Sequence, residues 1–172
     1  IPTPLMNVFN GGAHADTNLD MQEFIIIPEG FTTYSKKLQA GSEIFHKLGK
    51  ILKKDGLDTD VGNEGGYAPD VGKTEQALEY LVKAIKSAKY KPGKQVGLGI
   101  DIAASEFYDI QKNRYILKTD RKRLTAEKMV DLLEEWGKKY PLVSIEDPLD
   151  QDAWEDWVMC MNRLGKKMMV IG

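Results

Sequence analysis

The sequence predicts an α/β fold whose later part is a run of β/α units of the barrel or doubly wound kind, on three observations. Two apolar runs, residues 96–102 and 141–147, have the unbroken hydrophobic character of parallel strands covered on both faces, and each delivers a carboxylate near its end. Stretches with helical apolar spacing lie between and after them, so strand and helix alternate. The third observation is the opening, where two short strands precede any helix. An eight-fold barrel takes about 250 residues, so the 172 residues here are expected to supply around half of one. A parallel sheet stopping at Gly172 would leave an unpaired edge, and the chain is accordingly expected to be part of a larger domain.

In chain order, Leu5 to Phe9 reads as a strand stopped by Asn10-Gly11-Gly12, and Met21 to Ile27 as a second strand closed by Pro28 and Gly30. An antiparallel pair joined through a polar loop carrying His14 is the expectation. Leu38, Ile44, Phe45, Leu48, Ile51 and Leu52 place a helix over residues 35–54, with Gly56 as its stop. Residues 57–73 show no periodicity and contain Gly62-Asn-Glu-Gly-Gly66, a loop long enough to need a reason. Thr74 is placed to cap a helix with the stripe Ala77, Leu78, Leu81, Val82, Ile85 and Ala88, and Pro92-Gly93 then turns into the strand ending at Asp101.

A small hairpin over residues 107–117, turning at Lys112-Asn113, comes next. The basic Arg121-Lys122-Arg123 reads as a solvated excursion. Thr125 begins a helix with Met129, Leu132, Leu133 and Trp136 inward, which leads to the strand Leu142 to Ile145. Asp152 and Glu155 suggest a capping box for a helix bearing Trp154, Trp157, Val158, Met161 and Leu164, stopped by Gly165 before a last strand from Met168.

Composition bounds the function. A formal charge of -2, from 24 basic and 26 acidic residues, carries no polyanion signature and disfavours nucleic acid as a partner. The single Cys160 cannot form an internal disulfide and reads as a small core residue, which fits a reducing cytoplasm. The sequence has neither a membrane-length apolar run nor a basic-then-apolar leader, so membrane insertion and export are not expected.

Asp101 and Glu146, at the ends of similarly built strands, are hard oxygen donors of the type Mg²⁺ takes, or else caps for the loops that follow. Glu23 beside Phe24 and the isoleucines is an acid–base candidate if it faces a barrel interior, and the polar phase of a half-exposed strand if it does not. Glu64 sits among glycines that allow close backbone approach to a ligand, or in a plain surface turn. His14 is either a satisfied loop imidazole or a group that handles protons and phosphate. His46, on a lysine-rich helix, reads as structural.

Taken together, Asn10-Gly-Gly-Ala-His-Ala-Asp16, Met21-Gln-Glu-Phe24, Gly62-Asn-Glu-Gly-Gly-Tyr-Ala-Pro69, Ala103-Ala-Ser-Glu-Phe107 and Ser144-Ile-Glu-Asp-Pro148 resemble the enolase family, in order and along the whole chain. The resemblance implies a partial TIM-type barrel of the enolase kind, residues 1–172 forming the first half of the barrel domain. It implies a lyase that dehydrates 2-phospho-D-glycerate to phosphoenolpyruvate in glycolysis, with Mg²⁺ as cofactor. Asp101 and Glu146 would be two of its three metal carboxylates, Glu64 and Glu23 the pair assisting loss of hydroxide, and His14, Gln22 and Glu23 the substrate-binding residues. It also implies a parent enzyme that is a homo-oligomer, a dimer or a ring of dimers. The family's third metal acid, lysine base, arginine and second histidine have no counterpart here, so this chain alone is expected to be inactive. Asn63 stands where the family is expected to carry aspartate, which implies a shifted pH–rate profile and weaker activity. The alternative is a non-catalytic half-barrel that acts as a binding or assembly module.

Overall fold

The computed structural model describes residues 1–172. Five strands form one mixed sheet in the order β1-β2-β3-β7-β8, comprising β1 (Met6–Asn10), β2 (Glu23–Ile27), β3 (Gly97–Asp101), β7 (Leu142–Glu146) and β8 (Met169–Ile171). β1, β3, β7 and β8 run parallel to one another, while β2 is antiparallel to both of its neighbours, β1 and β3. The sheet does not close, and β1 and β8 are its edges. This is a partial barrel with the expected strand-strand-helix-helix opening.

Four helices accompany the sheet: α1 (Tyr34–Lys54), α2 (Glu75–Ser87), α3 (Ala126–Lys139) and α4 (Trp154–Leu164). Thr33 caps α1 by accepting from the Lys36 N–H, and Thr125 caps α3 by accepting from the Lys128 N–H. α1 buries Ala40, Ile44, Leu48 and Leu52, one residue per turn, while Leu38 on its first turn is exposed, contrary to the sequence expectation. The helices bury their stripes with Phe24, Ile26, Leu98, Ile100 and Ile145 in one continuous core. Glu23, Ile25 and Ile27 alternate onto the opposite face of β2, and Gly99 and Ser144 lie in register with Ile25 on that face.

Two caps differ from the sequence reading. Thr74 makes no capping bond, since its side-chain oxygen is buried without a partner and its N–H donates to Asp120. The exposed donors before α2 are met instead by Gln76 Oε1, which accepts from the Gly72 and Lys73 N–H groups. The Asp152–Glu155 box does not form either: Ala153 takes the cap position with no side-chain bond. On α4, Trp154, Val158 and Met161 are exposed, and only Cys160 and Leu164 are buried.

The hairpin is also larger than its sequence pattern indicates. β4 (Tyr108–Asp109), β5 (Arg114–Leu117) and β6 (Lys122–Leu124) form a separate antiparallel sheet, so the basic segment at 121–123 is largely a third strand. Its three-residue length and exposed charges hide the period-2 pattern, and the turn into it uses a positive φ of 53° at Arg121.

Candidate active site

The sheet brings four polar side chains into one row along its carboxyl edge. Asn10 ends β1, Glu23 begins β2, Asp101 ends β3 and Glu146 ends β7, and each is the register partner of the next. β2 takes part because it runs the other way, so its first residue meets the last residues of its neighbours. Residues directly opposite across a strand pair share a face, and their Cβ atoms lie about 5 Å apart. Three carboxylates on adjacent strands are therefore held side by side, half-buried.

Their surroundings differ. Glu23 Oε1 lies 3.1 Å from His14 Nδ1, on the loop between β1 and β2. Burial raises the Glu23 carboxyl above its ordinary value, the charges of Asp101 and Glu64 push the same way, and His14 offsets part of the rise. Asp101 accepts from Gln22 Nε2 at 3.2 Å and from the Ala103 N–H at 3.1 Å. Burial nevertheless raises it, with Asp147 adding to the rise. Glu146 is raised by burial first and then by Asp101, Asp147 and Glu23, and no hydrogen bond works in the other direction. The chain leaves β3 and β7 through left-handed residues, Ala103 at φ 47° and Asp147 at φ 42°, a conformation uncommon outside glycine. Asp147 thus shapes the turn beside the row.

Glu64 reaches the same edge from a different direction. Its loop docks along β1, where the Tyr67 N–H donates to the Val8 carbonyl and the Asn10 N–H donates to the Tyr67 carbonyl. The Asn63 N–H donates to the His14 carbonyl at 2.9 Å, which sets the Glu64 turn beside the histidine loop. All six candidates, His14, Gln22, Glu23, Glu64, Asp101 and Glu146, are assembled at one edge. Sequence reading treated Asn10 only as a strand stop; its place in the row was visible only in that it precedes the Gly-Gly pair. A broad cleft lies to the side, among Thr17, Asp20, Lys73, Lys118 and Asp120, and reaches this edge only at Gly12 and Ala13. Convergent, mutually repelling carboxylates mark a functional site better than cleft size does.

Over residues 1–172 the sequence matches the family model for the enolase C-terminal TIM barrel domain. The chain belongs to that family. The match covers the whole chain, and the open five-stranded sheet is consistent with part of such a barrel.

Members of the enolase superfamily typically use Mg²⁺, and the residues of this domain fit such an ion. No three His, Cys, Asp or Glu side chains are grouped to hold a metal within the chain, but Asp101 and Glu146 offer a pair. Mg²⁺ takes one or two protein carboxylates and completes its octahedron with water and substrate oxygens. Glu146, half-buried with nothing to lower its pKa, has the electrostatic need that a cation meets.

Proposed function

We propose that this chain is the first half of the barrel of a phosphopyruvate hydratase, which removes water from 2-phospho-D-glycerate to give phosphoenolpyruvate. The observation that supports it is the single row Glu23–Asp101–Glu146, with His14 bonded to its first member and the Glu64 turn set against His14. The elimination takes a proton from carbon 2 and expels the carbon 3 hydroxyl as water. Asp101 and Glu146 would hold Mg²⁺, which when bound would supply positive charge against the negative charge gathering on the substrate carboxylate.

The chain's own residues handle the leaving hydroxyl. Glu64 donates the proton that turns hydroxide into water, and Glu23, whose carboxyl keeps its proton to higher pH than an exposed glutamate, assists beside it. His14 orients Glu23 and faces the substrate phosphate, while Gln22 steadies Asp101 and lines the pocket. The base for the carbon 2 proton comes from a lysine outside these residues. The exposed Trp154, Val158, Met161 and Met169 at the β8 edge form the surface on which further β/α units would pack. The parent enzyme is cytoplasmic and homo-oligomeric in this reading.

Product absorbance in the ultraviolet tests the proposal. The 172-residue chain alone gives no phosphoenolpyruvate from 2-phosphoglycerate and Mg²⁺, and joined to a complete barrel it does. Turnover by the isolated chain, or a complete protein that acts only on another carboxylate, would overturn it.

A further inference from the structure

Asn10 ends β1 and is completely buried, and nothing so far gives it a chemical task. Its Oδ1 accepts from the Gly66 N–H at 2.6 Å, whereas its Nδ2 is enclosed without a partner. A buried amide with an unmet donor is unfavourable compared with an apolar residue, so packing alone does not account for it. The Gly66 bond does. Gly66 closes the Glu64 turn by accepting from the Gly62 N–H at 2.8 Å.

The fit around this bond is tight. A Cβ on Gly66 would stand 2.4 Å from Asn10 Oδ1 and 2.7 Å from the Phe9 nitrogen. One on Gly62 would stand 2.8 Å from Asn10 Cβ. At the tip of the turn the constraint ends: Gly65 has open space around it at φ 81°, and Glu64 is exposed. The turn is locked at its base and free at its tip. Asn10 is also the register partner of Glu23, so one residue touches both sides of the acid pair.

We propose that Asn10 is a positioning residue that holds the Glu64 turn at a fixed distance from Glu23 through its bond to the Gly66 N–H. This rests on the roles given to Glu64 and Glu23 above. Removing the amide leaves the fold in place but lets the base of the turn drift, and a displacement of about 1 Å at a proton donor costs on the order of a hundredfold in rate.

The test uses Asn10→Ala, Asn10→Asp and Gly66→Ala in the complete protein, with amide hydrogen exchange of residues 62–67, melting temperature and the pH dependence of kcat as readouts. Asn10→Ala and Gly66→Ala are expected to speed exchange in that segment alone, lower kcat about tenfold to a hundredfold with KM nearly constant, and alter the pH profile. Asn10→Asp keeps an acceptor oxygen for Gly66 and is expected to restore slow exchange. Unchanged exchange in Asn10→Ala would overturn the clamp, and faster exchange with unchanged kcat would overturn its catalytic role. If Asn10→Ala does not fold, Gly66→Ala and Asn10→Asp decide the same two points. An inert wild-type protein would instead remove the reading of the reaction, and with it the catalytic part of this proposal, while the exchange measurement still decides the clamp.

Discussion

Asp101 and Glu146 are register partners at the carboxyl ends of two parallel strands, and the charge of Asp101 helps to lift the Glu146 carboxyl above its ordinary range. The sheet thus holds together two charges that repel in its own ground state. That is an unfavourable arrangement for folding and a favourable one for a divalent cation.

The first prediction concerns pH. A carboxyl whose folded pKa is raised binds its proton more tightly in the folded chain than in the unfolded one. Its contribution to stability is therefore complete below the unfolded pKa, about 4.3 for glutamate, and is lost as pH rises through the folded value. Glu146→Gln removes that loss without breaking a hydrogen bond. Without metal, the variant should melt a few degrees above wild type at neutral pH and level with it near pH 4. Equal melting temperatures at both pH values would count against the repulsion.

Metal should reverse the comparison. A cation that binds only the folded chain stabilises it by RT ln(1 + [L]/Kd), so the wild-type melting temperature should climb with Mg²⁺ concentration. Asp101→Asn and Glu146→Gln should flatten that climb, because a pair reduced to one carboxylate loses half of its donor charge. A Mg²⁺ response unaffected by either change would place the ion elsewhere.

His14 and Glu23 make the third case. The imidazole is among the groups that lower the Glu23 carboxyl, against burial and two neighbouring charges. In His14→Ala the Glu23 pKa should move further up, which carbon-13 NMR of the labelled carboxyl would show. No movement would mean that the 3.1 Å contact carries no charge interaction in solution.

A core leucine and an exposed tryptophan should separate sharply. Leu133 is completely buried, and Leu133→Ala should cost about 2–5 kcal/mol in urea unfolding. Trp154 is 76% exposed, and Trp154→Ser in this chain should stay within about 0.5 kcal/mol of wild type.

Cys160 offers a check on burial. Enclosure pushes its thiol up to about 11, so little thiolate exists at neutral pH. A disulfide reagent should label it slowly in the folded chain and rapidly in urea. Fast labelling without denaturant would show that α4 opens readily.

The strand ends were legible because a parallel strand covered on both faces writes itself as an apolar run, and the acids at 101 and 146 interrupt that run in plain view. Thr33 and Thr125 cap as such residues do, yet Thr74 does not. Its N–H is drawn to Asp120, 46 residues further on, and a tertiary partner of that kind leaves no local trace. On α4, Trp154, Val158 and Met161 have helical apolar spacing yet are exposed, because helical spacing does not say which face finds a partner.

By itself, the sequence determined the alternation of strands and helices, the acids available to a site and the family to which the motifs point. Those are local properties, written in periodicity and residue type. Tertiary structure alone decided the register that lines up Asn10, Glu23, Asp101 and Glu146, and the docking of the Glu64 turn on Asn10. Register is a relation between strands up to 79 positions apart, as the Gln22–Asp101 bond shows, and a slip of one residue would turn every one of these side chains to the other face.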